Sequence, residues 1–363
     1  NIMKKIIIIG GARDYHVMDW FRTVSKLSNT NVILITDLLT GEGYKKIYSD
    51  DDKIHKLLII DKLLFKKQSR IGDIWRNILK ILVLPIQIFY LKKFNRNNQN
   101  VIYHAMPMYY MLLCYLSGIS FIGTPQGSEI LVRPRRSLLY KYFCKKVLKS
   151  AKIITVDSKN MSEEIFKISK KNSLIVQNGI EVDEIIKFEN NNTSKKEILS
   201  IRGMTDLYNI DKIIDARNYL DEKLPLNFIY PFSDEEYLLK IKSKKNIKDK
   251  MLGRLNKRDM ISKMKNSFLV ISIPKSDSSP RSVYESIFSG ACVAVNPNKF
   301  IDDLPKCMKE RLFVVDLNDK FWLKKAIKYG QEITRYEYNP SQEALNMFDQ
   351  NISMQKVIDT IYK

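Results

Sequence analysis

Short apolar runs rich in Ile and Val recur through the first half of the chain, separated by stretches in which apolar residues return every three or four positions. The first pattern is that of buried strands and the second that of helices with one packed face. Their alternation predicts strand-helix-strand units and a parallel sheet, hence an α/β fold. Strands are expected at residues 5–9, 31–36, 56–60, 101–103, 120–122, 152–156 and 174–176. Helices are expected at 108–116 and 137–148; in the second, Leu139, Phe143 and Val147 form the stripe expected to pack, and Lys141, Lys145 and Lys149 the stripe expected to stay wet. A second series follows, with strands at 198–201, 226–230, 268–273, 292–295 and 312–315 and helices near 210–219, 259–264 and 282–288.

Between the two series the turn Asn178-Gly179-Ile180 leads into a polar run at 189–196, the most linker-like stretch in the chain. The expected organisation is two doubly wound domains, 1–180 and 197–345, a linker at 181–196, and a C-terminal helix within 346–363 packing back toward the first domain. Ligands of such folds bind beyond the carboxyl ends of the strands, so a cleft between the domains is the default site.

Composition narrows the class. With 363 residues, 45% hydrophobic and 28% charged, the chain is an ordinary folded protein with room for two cores. Cys114, Cys144, Cys292 and Cys307 show no metal or disulfide spacing, and His16, His55 and His104 lie in unrelated segments, so no metal is expected. The net charge is +21, and it is unevenly placed: residues 1–180 carry 30 Lys and Arg against 13 Asp and Glu, the remainder 31 against 27. A field of that sign attracts nucleic acid, an anionic membrane or phosphorylated substrates, and charge alone does not choose among them.

The apolar run Ile6 to Ile9 is too short for a signal peptide and reads as a first strand. Residues 101–128 carry no formal charge, but Pro107, Gly118, Gly123 and Pro125 break them into strand, helix and strand. The better membrane candidate runs from Arg70 to Lys93. Its apolar core, 81–91, is interrupted by Gln87 and flanked by Lys62, Lys66, Lys67, Arg70, Arg76, Lys80, Lys92, Lys93 and Arg96. That core is expected to be too short to span, and the segment reads either as an interfacial helix or as a core helix with solvated ends.

The most informative stretch is 271–290. A buried strand ends at Ile273, a polar loop follows, and Pro280 falls in the first turn of a helix whose unpaired amides and dipole form an anion site. Asp277 lies in the loop and Glu285 in the helix, so both carboxylates can face one polyhydroxylated, phosphorylated ligand; a capped helix with a solvated Glu285 is the plainer alternative. The stretch resembles the acidic-x7-Glu signature of retaining glycosyltransferases of the GT-B fold, the nucleotide-sugar-dependent family four.

The resemblance implies two Rossmann-like domains facing a cleft, and roles for particular residues. Glu285 would bind the ribose, Asp277 the donor sugar, and the loop from Ser278 and Ser279 to Ser282 sugar or phosphate. Asp replaces the usual Glu at 277, and Ser278-Ser279 stand where glycine is usual. Gly10 and Gly11 resemble the family's N-terminal glycine loop, and Gln126-Gly127-Ser128 a cleft loop that commonly reads His-Gly-Ser, with Gln126 in place of the imidazole. Arg202 and Gly203 lie near the family's phosphate-gripping Arg, while Tyr208 stands where a Lys is expected, leaving Lys275 and Arg281 as candidate replacements. His16 is a candidate contact to acceptor or sugar, or else a helix residue with a structural hydrogen bond.

On this resemblance the chain is expected to move a sugar from a nucleotide sugar to a lipid-linked or membrane glycan, with retention and without a metal or other cofactor. The expected setting is the cytoplasmic face of a bacterial membrane during surface polysaccharide synthesis, including lipopolysaccharide, O-antigen or capsule. A nucleotide-sugar epimerase on the same fold and a basic nucleic-acid-binding protein are the alternatives; the chain shows no recognised nucleic-acid motif, and nucleic acid is not expected as a partner.

Overall fold

The computed structural model describes residues 5–40, 53–65, 70–177, 179–188, 195–277 and 279–363. Lys66 and Lys67, Asn178 of the domain-end turn, residues 189–194 of the polar run and Ser278 lie outside the described residues. The chain forms two units, one of Asn1–Asn178 with Ser353–Lys363, the other of Gly179–Ile352.

In the first unit, β1 (Lys5–Ile9), β2 (Val32–Thr36), β3 (Ile54–Lys56), β4 (Val101–Ala105), β5 (Phe121–Gly123), β6 (Ile153–Val156) and β7 (Leu174–Ile175) form one parallel sheet in the order β3-β2-β1-β4-β5-β6-β7. Ile6, Ile7, Ile8 and Ile9 are all buried, because a central strand covered on both faces needs no polar alternation. Ile7 and Ile9 face Leu91, Leu113, Val147 and Ile165 from helices Arg70–Arg96, Met108–Leu116, Leu138–Ser150 and Lys159–Ser169. Ile6 and Ile8 face Trp20 and Phe21 of helix Tyr15–Leu27 together with Met354, Val357, Ile358 and Ile361 of the C-terminal helix Gln350–Ile361.

A polar knot ties this C-terminal segment to the sheet. His104 of β4 is fully buried; its Nδ1 lies 2.5 Å from the Tyr362 hydroxyl and its Nε2 2.6 Å from Thr124 Oγ1, which in turn meets Thr155 Oγ1. Trp20 Nε1 donates to the same Tyr362 oxygen at 2.9 Å. With that donation taken, the tyrosine proton points to Nδ1 and the ring proton sits on Nε2, which makes the imidazole neutral. Burial pushes its pKa down to about 3.

Three expectations for this unit are corrected. The third strand is Ile54–Lys56, not 56–60; Leu57 and Ile60 are buried but belong to the connection that follows. In helix Leu138–Ser150 the packed residues are Cys144, Val147 and Leu148, whereas Leu139 and Phe143, expected to pack, are 68% and 44% exposed. The flanking strands β5 and β6 have three and four residues, about 10 to 13 Å, against about 20 Å of helix, so the sheet covers only the last turns.

The third correction concerns helix Arg70–Arg96, which runs unbroken through Pro85; its part Ile74–Arg96 is long and apolar enough to cross a membrane, contrary to the expectation of too short a core. One face is nevertheless built into the unit. Leu79 and Leu91 are buried, and the fully buried Gln87 donates to Asp37 Oδ2 at 2.9 Å.

In the second unit, β8 (Glu197–Ser200), β9 (Leu226–Ile229), β10 (Lys250–Gly253), β11 (Ser267–Ser272), β12 (Cys292–Val295) and β13 (Leu312–Val314) form a parallel sheet in the order β10-β9-β8-β11-β12-β13. β10 was not expected: it is a half-exposed edge strand among lysines and has no apolar run to mark it. The segment at 181–196 is not simply a connector, since it holds helix Val182–Lys187, whose Val182 and Ile185 are buried in this unit's core. Both sheets reverse their strand order once, between β1 and β4 and between β8 and β11, and these are the positions where a doubly wound sheet opens a crevice at its carboxyl edge.

Candidate functional site

The crevice of the second unit is bounded by the segments leaving β8 and β11, and these carry the residues singled out in the sequence. Arg202 follows β8 and Asp277 follows β11. They are 75 residues apart in the chain and form an ion pair of 2.8 Å, each side chain 15% exposed. Arg202 also donates to Ser282 Oγ at 3.4 Å, and its guanidinium stacks over the Tyr208 ring, 4.8 Å from the centroid. Tyr208 therefore orients the arginine from the place where a lysine was expected. At Gly203 the Phe232 ring packs directly on the backbone, in space a β-carbon would occupy.

The loop after β11 is held by three asparagines. Asn209 and Asn296 donate to the Ile273 carbonyl at 2.9 and 3.0 Å, Asn296 also to Pro274 at 2.8 Å, and Asn298 to the Asp277 carbonyl at 3.0 Å. Pro280 is the N-cap of helix Arg281–Phe288, one position earlier than expected, and has no side-chain group to cap that end. Arg281 Nε donates to Glu285 Oε1 at 3.1 Å across one turn, and Ser279 Oγ lies 3.2 Å from the Tyr284 hydroxyl. Lys275 pairs with Asp206; it is 51% exposed, so this contact is screened. The expected cations and carboxylates thus meet, but as internal pairs: Arg202 with Asp277, Arg281 with Glu285, Lys275 with Asp206. For an anion to contact either guanidinium directly, the arginine would have to leave its carboxylate.

Beneath the loop, Ser272 Oγ and Asn296 Oδ1 are buried with no partner among the described residues, and they line a narrow cavity with Asp277, Pro280 and Phe300. Orphaned polar atoms at the carboxyl edge are consistent with an incomplete hydrogen-bond set that a ligand or water completes. A larger cavity, about 1190 Å³, is lined by Lys195, Lys265, Gly290 and Tyr338. It lies at the amino ends of the strands, away from the edge where doubly wound sheets bind ligands, and the smaller one is the better marker of the site.

In the first unit, Gly10 and Gly11 follow β1, and a β-carbon at Gly10 would lie 2.7 Å from the Met106 carbonyl oxygen. Asp14 caps helix Tyr15–Leu27 by accepting from the His16 amide, and its other oxygen accepts from Gln126 Nε2 at 2.5 Å. Gln126 thus bridges the two loops. Glu129 accepts from the amides of Gln126 and Met108, both at 3.0 Å; burial raises its pKa and those bonds oppose the rise. Gly127 and Ser128 open the short helix Gly127–Leu131, and the His16 side chain is exposed.

Two groups of residues escaped the sequence reading. One is the set of three asparagines, which interrupt no pattern, although Asn296 and Asn298 directly follow a strand. The other is a buried cluster beside Gly11: Tyr110 donates to Asp37 at 2.5 Å, and Lys80 donates to the Tyr110 hydroxyl at 3.0 Å and lies 3.8 Å from Asp37. Burial lowers the Lys80 pKa, and Asp37 opposes the shift. Among the described residues no group of His, Cys, Asp and Glu could hold a metal ion.

No protein-family model matches the sequence, and no curated protein does. Solved structures match over nearly the whole chain. The structure is similar to Anabaena HepE in complex with UDP and glucose, at a TM-score of 0.73, with 10% identity over 98% of this chain and 99% of that one. It is similar to a mutant of S. aureus TarM in complex with fondaparinux, alpha-GlcNAc-glycerol and UDP, at 0.69, with 10% identity over 99% and 100%. It is similar to sucrose-phosphate synthase from Thermosynechococcus elongatus at 0.68, with 13% identity over 99% of each chain.

The fold is GT-B. In a GT-B chain the two parallel sheets are the two Rossmann-like domains, and the Arg202–Asp277 pair stands at the switch point of the second.

Proposed function

We propose that this protein is a glycosyltransferase using a nucleotide-sugar donor bound by the second unit. The observation that carries the reading is the convergence of Arg202, Asp277 and the start of helix Arg281–Phe288 at the switch point of β8 and β11. An arginine fork and helix amides suit a diphosphate, and carboxylates suit sugar and ribose hydroxyls. The similarity to structures solved with UDP supports this donor class. In this reading Glu285 holds the ribose, Asp277 the sugar, and Arg202 with Arg281 the departing diphosphate. Transfer proceeds with retention and without a metal, and the departing phosphate takes the acceptor proton. Gln126, Asp14 and His16 belong to the acceptor side.

The test is the donor site itself. Removing a hydrogen bond made by a charged group costs about 1.5 to 3 kcal/mol, so Glu285→Ala is expected to weaken nucleotide binding by roughly ten- to a hundredfold. Its melting temperature should change little, since the side chain is partly exposed. Titration calorimetry with nucleoside diphosphates reads the first and a thermal scan the second; undiminished binding would remove Glu285 from the site.

The acceptor in this reading is a lipid-linked or membrane-anchored glycan of bacterial surface polysaccharide synthesis, and the protein is peripheral on the cytoplasmic face of the membrane. Support comes from helix Arg70–Arg96, whose Ile71, Ile74, Ile78, Leu82, Ile86 and Phe89 are 45 to 73% exposed along one face, with Lys92, Lys93 and Arg96 at its end. Raising salt from about 0.01 M to about 0.15 M is expected to release part of the protein from anionic vesicles, the remainder being held by the apolar face. A protein that fails to co-sediment even at low salt has no such attachment.

A further inference from the structure

The exposed residues at the start of helix Leu138–Ser150 have no role in the site described above. Leu138 is 84% exposed, Leu139 68%, Tyr142 55% and Phe143 44%. Positions at spacings of one, four and five lie along one side of a helix, so these four make a single apolar ridge. Between Ile130 and Val156 the chain has eight Lys and Arg and no Asp or Glu. Arg133, Arg135 and Arg136 are exposed just before the ridge, and Lys141, Lys145 and Lys146 beside it. Two carboxylates from outside this stretch approach, Glu129 at 4.0 Å from Arg133 and Glu164 at 3.5 Å from Arg135, and the other cations form no ion pair among the described residues.

We infer that the ridge Leu138, Leu139, Tyr142 and Phe143 with its ring of cations is a second membrane footing, inserting into an anionic bilayer beside helix Arg70–Arg96. The inference rests on the membrane reading above and adds a different surface to it. Charge and apolarity together select the occupant: nucleic acid would use the cations but leave four large apolar side chains in water, whereas an anionic bilayer interface takes both. Position agrees. Leu91 of helix Arg70–Arg96 and Cys144, Val147 and Leu148 of helix Leu138–Ser150 pack into the same core on one face of the sheet, with helix Met108–Leu116 beside both, so the two helices share one side of the unit. The ridge occupies the turns that overhang the strands. Since this helix follows β5, its start lies at the carboxyl edge, where Gly10, Gly11 and Gln126 also lie. A footing there would bring the acceptor side close to the headgroups that carry a lipid-linked substrate.

The experiment compares the parent with two variants on vesicles of phosphatidylcholine with phosphatidylglycerol. Leu138→Ser, Leu139→Ser, Tyr142→Ser and Phe143→Ser are combined in the first; Leu82→Ser and Phe89→Ser in the second. All six positions are exposed, so melting and nucleotide binding should match the parent. Partitioning of the first variant is expected to fall by about tenfold or more. If the second loses partitioning and the first keeps it, the ridge is not a footing, and the reading of helix Arg70–Arg96 stands alone. If the parent does not partition at all, both readings fall. Tyr142→Trp in a Trp75→Phe background adds a direct readout: the emission gained over that background should shift to the blue on vesicles and be quenched by brominated lipid, and a gained emission unchanged by lipid overturns the inference.

Discussion

Arg202→Ala is expected to lower sugar-transfer turnover by roughly 10²- to 10³-fold, the loss produced when one preorganised contact to developing charge is removed. Three features single out this residue. It leaves β8 at the switch point, its side chain is only 15% exposed, and Tyr208 and Ser282 fix its guanidinium in place. Lys275, half exposed and paired with the still more exposed Asp206, should matter less. Arg202→Lys is not expected to restore the rate, because an ammonium cannot reproduce a planar fork on a diphosphate. The pairing with Asp277 adds a signature. Asp277→Asn releases the arginine to the ligand, so affinity for a free nucleoside diphosphate should rise while transfer falls. Turnover is read from nucleoside diphosphate release and affinity from calorimetry; wild-type turnover in Arg202→Ala would place the leaving group elsewhere.

The second large effect concerns acid. The His104 imidazole has a pKa of about 3 in the folded protein, and its unfolded value is about 6.5. Between those values the unfolded chain binds the extra proton, so this contribution is fully present above about pH 6.5 and is lost as pH falls toward 3. The difference corresponds to roughly 5 kcal/mol in total, of which about half is already lost at about pH 4.5. Urea unfolding monitored on the first unit at a series of pH values reads this slope. In His104→Gln it should flatten over the same window, and an unchanged slope would assign the acid response to other groups.

The regular parts of this fold were legible because buried parallel strands declare themselves as apolar runs: β1, β12 and helix Met108–Leu116 fall where the pattern puts them. What failed has a common cause. Periodicity says that a residue is apolar, not what covers it, so Leu57 and Ile60 were assigned to a strand although they bury in a connection, and Leu139 and Phe143 to a core that ends before it reaches them. The half-exposed β10 gave the opposite error. At the candidate site the residue types and their order along the chain could be read, because Asp277 and Glu285 share one segment. The partner of Asp277 could not. Arg202 reaches Asp277 only because β8 and β11 are neighbours in the sheet, and Asn209, Asn296 and Asn298 hold the loop from two other connections, those after β8 and β12.

Placement of Ser353–Lys363 in the first unit bears on how the protein is made. Met354, Val357, Ile358 and Ile361 cover Ile6 and Ile8 of the first strand, and Tyr362 completes the hydrogen bonds of His104. During synthesis the strands of the first unit emerge early, yet the part of one sheet face that helix Tyr15–Leu27 does not cover waits, apolar, until the whole of the second unit has been translated. The second unit is continuous from Gly179 to Ile352 and can close first. Completion of the first unit's core therefore waits on residues 353–363, and until they arrive the nascent chain carries an apolar surface of the kind that holdase chaperones bind.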